Sequence, residues 1–167
     1  MTPFLPRLTP SWQTGRPIAR VPSGRQTTNG MYLLDTNALS ELLKRRPKPQ
    51  FLTRLRRHPP ELFFTSCICV MELRHGSRRR EDHAAFWQRI THDVLSRVTI
   101  LDFSISEAVV AGDIFAHLAR RGELIGVEDV LIGATALVRE YTVVTGNVRH
   151  FERIPDLQIE NWFIEQP

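Results

Sequence analysis

The sequence predicts an α/β fold of three layers, in which a mostly parallel central sheet of about five strands lies between helices. The first observation behind this prediction is the regular alternation of short apolar strands and amphipathic helices from residue 31 onwards. The second is that polar residues, Asp35 and Asn147, follow two of these strands at their carboxyl ends, where α/β sheets gather functional groups. A length of 167 residues fits one compact domain with a short appendage.

Local sequence signals predict where the helices and strands begin and end. Pro47 stops the first helix, Ser66 is a suitable N-cap for the third, and Ser104 with Glu107 forms a capping box for the fifth. The strands are predicted at Met31–Leu34, Leu62–Thr65, Val98–Leu101, Tyr141–Thr145 and Leu157–Glu160. The helices are predicted at 37–45, 49–57, 67–76, 84–96, 105–121 and 127–140, with a charged, solvent-facing stretch at 77–83, a loop at Gly122–Gly126 and a loop or helical turn at 147–153.

The chain divides into an N-terminal extension, residues 1–30, and a folded domain, residues 31–167. Five prolines interrupt any helical period in the extension, which also lacks strand alternation, so we expect it to be disordered. A start codon placed too far upstream, with true initiation at Met31, is the alternative explanation. The extension has no apolar core for a secretory signal, and its arginine-rich, acid-free composition is only faintly that of a transit peptide.

Composition excludes several classes of protein. Apolar residues make up 42% and charged residues 24%, an ordinary globular balance, and no run of 18 apolar residues exists to span a membrane. The net charge of +4 comes from 22 basic and 18 acidic residues, and the extension holds four arginines and no acid, so residues 31–167 net zero. The high isoelectric point therefore does not make the domain a basic nucleic-acid binder. Two cysteines cannot form a disulfide framework, and we expect a reducing cytoplasm.

Three acids are candidates for chemistry, and each has a simpler interpretation. Asp35 follows an apolar strand, where it could act at the mouth of a sheet or cap the next helix. Glu72 lies mid-helix on a small, apolar face, where a cation could be its partner, or it could pair with His75 or an arginine at the surface. Asp129 opens a packed helix face and is preferred to Glu128, although a first-turn acid would suit the helix dipole in either position.

Asn147 follows a strand and Gly146, a placement that could equally be a simple turn. Together with the three acids it would make an oxygen-rich pocket. Hard oxygen ligands suit Mg²⁺ or Mn²⁺ rather than zinc or copper, and three carboxylates without a cation would raise the pKa of at least one of them.

Four segments in a fixed order resemble a known family. They are LDTNALSE at 34–41, ELRHG at 72–76 after Ser66, DVLIGA at 129–134 after Ile125, and TGNVRHF at 145–151. In this order they resemble the PIN-domain ribonucleases and, more narrowly, the VapC toxins of type II toxin–antitoxin modules. The resemblance covers about residues 31–162 and implies a PIN-like fold.

The resemblance also implies a site and an activity. It maps the acidic metal-binding and catalytic site onto Asp35, Glu72, Asp129 and, at a variable fourth position, Asn147, and it implies that Thr36, Asn37 and Thr145 orient these ligands by hydrogen bonding. It implies Mg²⁺- or Mn²⁺-dependent endonucleolytic hydrolysis of RNA, leaving 5′-phosphate and 3′-hydroxyl ends. It further implies a homodimer and a cognate VapB-like antitoxin that covers the acidic pocket.

Two other functions stay open. Asn147 carries no charge, so the domain could be a catalytically impaired PIN-like module that binds RNA or protein. A nuclease of the same fold that cuts DNA flaps is the second, although the chain has no long insertion to form a helical arch. RNA binding by a neutral domain would need local basic surface, and three candidates exist, which are equally well explained as solvated helix ends. They are Lys44–Lys48, Arg54–Arg57 and Arg78–Arg80.

Overall fold

The computed structural model describes residues 30–165 of the chain, and these form five strands and seven helices. The strands are β1 (Tyr32–Leu34), β2 (Phe63–Ser66), β3 (Thr99–Leu101), β4 (Thr142–Val144) and β5 (Ile159–Glu160). The helices are α1 (Thr36–Leu42), α2 (Pro49–Leu55), α3 (Cys67–Arg78), α4 (His83–Arg89), α5 (Ile105–Arg121), α6 (Val127–Arg139) and α7 (Val148–Phe151). The extension predicted at residues 1–30 lies, apart from Gly30, outside the described residues.

The five strands form one parallel sheet in the order β3-β2-β1-β4-β5, which confirms the predicted α/β fold. Along the chain, the first strand of the sheet is the central strand β1. The next two, β2 and β3, lie to one side of it, and β4 and β5 then lie on its other side. The direction of winding thus reverses between β1 and β4. In open α/β sheets this reversal leaves a crevice at the carboxyl ends of the two strands, and ligands bind there.

The core is built on the two strands that border the crevice. Leu33 and Leu34 of β1 pair with Val143 and Val144 of β4, and all four side chains are buried. Helix α6 approaches its neighbours closely at Gly133, where a Cβ atom would lie 2.5 Å from Cδ1 of Ile154. Gly133 therefore lets α6 lie close to the segment that follows α7.

Two local predictions differ from the structure. The helix predicted at 84–96 is α-helical only to Arg89 and continues as a π-helical turn at Ile90–Val94 and a 3₁₀ turn at Leu95–Arg97. The stretch predicted to be solvent-facing from residue 77 begins later, because α3 runs to Arg78 and Ser77 is buried, with its hydroxyl donating to the Arg74 carbonyl at 2.8 Å. Hydrophobic periodicity does not separate α from π turns, and a buried serine that bonds its own helix leaves no apolar signal.

Within residues 30–165, no helix combines the length and the apolar character needed to cross a lipid bilayer.

Candidate active site

The candidate site lies in the crevice between β1 and β4. Asp35 directly follows β1 and Thr145 directly follows β4, so the parallel register brings them side by side. The backbone N–H of Asp35 donates to the carbonyl of Val144 at 3.2 Å. The Thr145 hydroxyl donates to Oδ2 of Asp35 at 2.6 Å.

The Asp35 carboxylate is both a helix cap and part of the site. Its Oδ1 accepts from the backbone N–H of Ala38 at 2.8 Å, which caps α1, while its Oδ2 accepts from Thr145 and, at 3.3 Å, from Asn37. The residue is 2% exposed. Burial raises the pKa of Asp35 to about 6, and the nearby charge of Asp129 adds to the increase, whereas the hydrogen bonds oppose it. A nearby cation would stabilise the ionised form of this carboxylate.

Glu72 approaches the same crevice from α3. Thr36, which begins α1, donates its hydroxyl to Oε2 of Glu72 at 2.5 Å. Partial burial raises the pKa of Glu72, and the negative charges of Asp129 and Glu128 raise it further. Among residues 30–165, Glu72 forms no ion pair with His75 or an arginine, so the surface interpretation of this residue does not describe its surroundings.

Asp129 lies in the first turn of α6 and faces two residues from the segment after β4. Asn147 donates from Nδ2 to Oδ2 of Asp129 at 3.2 Å, and Nδ1 of His150 lies 2.6 Å from the same oxygen. The side chain of Asp129 is 22% exposed, whereas Glu128 is an exposed residue. The structure therefore places Asp129, rather than its neighbour, against the chain segment that follows β4.

One network joins all four predicted site residues. It starts at Glu72, which is bonded to Thr36, the neighbour of Asp35 in the chain. It continues from Asp35 to Thr145, whose hydroxyl accepts from the backbone N–H of Asn147 at 2.8 Å, and from Asn147 to Asp129. Asp35 and Thr145, which are 110 positions apart in the chain, thus meet at the carboxyl end of the sheet.

The chemical type of the ligand atoms in the site suits a hard divalent cation. Asp35, Glu72 and Asp129 offer carboxylate oxygens, and Asn147 offers an amide oxygen once its Nδ2 is engaged with Asp129. Among the side chains of residues 30–165, no three His, Cys, Asp or Glu are gathered closely enough to enclose an ion by themselves. Mg²⁺ usually keeps several waters and takes only one or two carboxylates, so a partly open set of this kind suits it.

His150 is a site residue that sequence reasoning missed, because only Thr145 and Asn147 are singled out in the segment 145–151. Its position three residues after Asn147, at helical spacing in α7, is the signal that could have placed both residues on the same side. The three residues predicted to orient the ligands do contact them: Thr36 bonds Glu72, and Asn37 and Thr145 bond Asp35.

Comparison with known proteins identifies the family of this chain. The sequence model of the PIN domain matches residues 32–157 of the chain. Ribonuclease VapC2 of Haemophilus influenzae is 37% identical over 134 residues, covering 78% of this chain and 97% of the relative. This chain belongs to the VapC family of PIN-domain ribonucleases.

Other members of the VapC family agree in sequence and in structure. The tRNA(fMet)-specific endonuclease VapC of Salmonella typhimurium is 34% identical, over 78% of this chain and 97% of that protein. A crystal structure of DNA-bound VapBC from the same organism contains a chain that superposes with a TM-score of 0.73 at 32% identity, covering 79% of this chain and 98% of its own. The PIN-like fold and the ribonuclease family predicted from the four segments are therefore confirmed.

Proposed function

We propose that this chain is a Mg²⁺- or Mn²⁺-dependent endoribonuclease toxin that hydrolyses phosphodiester bonds of RNA. The observation that carries the proposal is that hydrogen bonds link Asp35 through Thr145 to Asn147 and Asp129 at the reversal point of the sheet, while Glu72 is bonded to Thr36, the chain neighbour of Asp35. Membership of the VapC family adds the nuclease chemistry to that geometry.

The residues of the site have different roles in the proposed reaction. Asp35 and Asp129 would hold the cation, with Glu72 and Asn147 completing its oxygen neighbours. When bound, a divalent cation would supply activation of a water molecule and neutralisation of charge on the phosphate. Thr145 and Ala38 keep the Asp35 carboxylate in one orientation, and His150 with Asn147 does the same for Asp129. Glu72 is partly exposed and approaches the crevice from α3, so we assign it the role of accepting the proton of the attacking water.

The substrate class is RNA, and tRNA or another structured RNA is the proposed target. The Salmonella relative named for its tRNA(fMet) specificity supports this choice, and cleavage of tRNA would inhibit translation and growth. A cognate VapB-like antitoxin is the proposed partner, supported by the match to the VapBC complex. We propose that the chain works in the cytoplasm as a homodimer that assembles with its antitoxin into a hetero-oligomer.

A catalytically impaired module that binds RNA or protein is the second candidate. The observation that favours it is Asn147, which supplies no charge at the fourth position of the site and donates its amide N–H to Asp129. Such a module would bind RNA through the same crevice without cutting it.

The test uses the antitoxin-free full-length protein stripped of metal with EDTA. Total RNA should be cleaved after Mg²⁺ or Mn²⁺ is restored, and Asp129→Asn should abolish cleavage while it retains the wild-type circular dichroism spectrum. The same metals should raise the melting temperature of the wild type more than that of Asp129→Asn, because an ion that binds only the folded state stabilises it. Absence of RNA cleavage at any metal concentration would favour the binding module, and preferential cutting of flap DNA would favour a DNA nuclease.

A further inference from the structure

A cavity of about 730 Å³ opens directly beside the candidate active site. Asn37 and Asn147 lie on its wall, and these residues bond Asp35 and Asp129 respectively. The cavity is therefore continuous with the acidic crevice rather than a separate feature. Its volume lies within the range of pockets that hold small organic ligands and is sufficient for a nucleotide.

Two lysines and the buried acid Glu41 also line the cavity. The lysines are Lys44 and Lys48, and both come from the loop between α1 and α2. A polyanionic strand that enters the acidic crevice is repelled by Asp35 and Asp129, so cations close to the entry would offset this repulsion. The other two basic segments are not part of this lining, and Arg54 and Arg80 are paired with Glu160 and Asp82.

A buried acid holds the cationic loop in place. Glu41 is 2% exposed, and its Oε2 accepts from Nζ of Lys44 at 2.6 Å while its Oε1 accepts from the backbone N–H of Lys48 at 2.7 Å. Burial alone would raise the pKa of Glu41, but the hydrogen bonds and charges of the two lysines lower it below its ordinary value. Lys44 uses one of its three N–H donors on Glu41, and the side chain of Lys48 is not used in this contact, so both ammonium groups retain donors for a ligand.

The C-terminal segment contributes Asn161 and Phe163 to the lining of the cavity. Lys48 Nζ lies 5.7 Å from the centre of the Phe163 ring, which stacks on Phe51 of α2 with ring centres 5.1 Å apart. Gln50 donates from Nε2 to the Phe163 carbonyl at 3.0 Å, and Asn161 accepts from the Phe163 N–H at 2.9 Å. These contacts hold the lining residues in place without a ligand, so the amide groups and the lysines face the same space.

We propose that this cavity binds the nucleotide next to the scissile bond of the RNA substrate, with its phosphate held by Lys48 and Lys44. The inference rests on the proposed ribonuclease function and adds to it a second contact point outside the acidic network. Cations in this position suit phosphate, and the amides of Asn37 and Asn161 offer donors and acceptors to the ribose or the base.

The test measures RNA binding without cleavage. Asp129→Asn protein in EDTA, full length, is titrated with a fluorescent single-stranded RNA of mixed sequence as salt is raised from about 50 mM to about 200 mM. Lys48→Gln in this background should weaken binding several-fold and reduce the slope of log affinity against log salt by about 0.7. Lys48 contacts Glu41 through its backbone, so this change leaves the loop anchor intact, and Lys44→Gln is the second variant because glutamine retains an N–H donor for Glu41.

Arg45→Gln and Arg46→Gln provide the matched controls. These arginines are exposed on the same loop but do not line the cavity, so their removal should reduce affinity less than Lys48→Gln does. Equal losses of RNA affinity in all variants would show that only the total charge of the loop matters, and this would overturn the proposal. Unchanged RNA affinity in the lysine variants would overturn it as well. Lysine variants that bind RNA normally but lose affinity for a polyglutamate peptide would assign the cavity to an acidic protein partner and also overturn it. Because binding is read without catalysis, a protein that cuts no RNA but shows the lysine effect would contradict only the ribonuclease proposal.

Discussion

The hydroxyl of Thr145 lies 2.6 Å from Oδ2 of Asp35, although 110 residues separate the two in the chain. The same hydroxyl accepts from the backbone N–H of Asn147 at 2.8 Å. One buried threonine therefore orients the carboxylate at the end of β1 and the segment that carries Asn147 after β4.

Thr145→Val should impair both functions of this hydroxyl. The change keeps the shape of the side chain but removes a donor to Asp35 and leaves the Asn147 N–H without its acceptor. We expect a loss of about 1–3 kcal/mol in the free energy of unfolding, measured by urea denaturation. RNA cleavage should fall by roughly 10–100-fold.

Thr135→Val is the control for this prediction. Thr135 is equally buried, but its hydroxyl donates to the Leu131 carbonyl of its own helix, so its removal leaves no site residue without a partner. Full activity in Thr145→Val, or an equal loss of activity in Thr135→Val, would contradict the orienting role.

Asp35→Asn should change how stability depends on pH in the metal-free protein. The pKa of Asp35 is raised from 3.8 to about 6 in the folded state, so the folded state binds the proton more tightly than the unfolded state does. The stability that this carboxyl contributes is fully present below pH 3.8 and is lost as pH rises through 6. Relative to the wild type, Asp35→Asn should therefore gain stability between pH 4 and pH 7, by at most about 3 kcal/mol.

Thermal denaturation in EDTA at several pH values measures this difference. Asp156→Asn serves as a control, since Asp156 is an exposed aspartate, whereas Asp35 is buried. A stability difference between Asp35→Asn and wild type that stays constant from pH 4 to pH 7 would show that the buried carboxyl does not titrate as described.

His150→Leu should reduce RNA cleavage by about 10–100-fold through loss of the contact with Asp129. His150→Asn places an N–H donor close to the position of Nδ1, so it should retain more activity than the leucine variant. Initial rates at saturating RNA, compared with those of the exposed His92→Leu, measure the effect. Equal activity of the asparagine and leucine variants would argue against a role for the hydrogen bond.

Gly133→Ala should be strongly coupled to the side chain of Ile154. A Cβ atom at position 133 would lie 2.5 Å from Cδ1 of Ile154, and Ile154→Val removes this atom. We expect Gly133→Ala to be less destabilising in the Ile154→Val background, with an interaction energy of at least about 0.5 kcal/mol in a double-mutant cycle. Additive effects would mean that Ile154 moves aside without cost.

The sequence by itself determined the strands and most helices, the fold class and the acids of the site. Apolar strands and the capping box at Ser104 and Glu107 are local features, and the structure contains both, with the Ser104 side chain and the Glu107 carboxylate bonding as the box requires. The choice of Asp129 over Glu128 rested on which helix face each one shares, and this too is local information.

Only the tertiary structure decided which of these residues meet. The winding reversal at β1 and β4 brings Asp35 to Thr145, and α7 brings His150 to Asp129, contacts that depend on strand order rather than on any local period. Of the three basic segments, only Lys44–Lys48 contributes described residues to the lining of the cavity beside the acids, namely Lys44 and Lys48. The three basic segments are alike in composition, so the sequence does not show which of them lies beside the site. The course of the chain through the fold decides this, and local propensity does not specify that course.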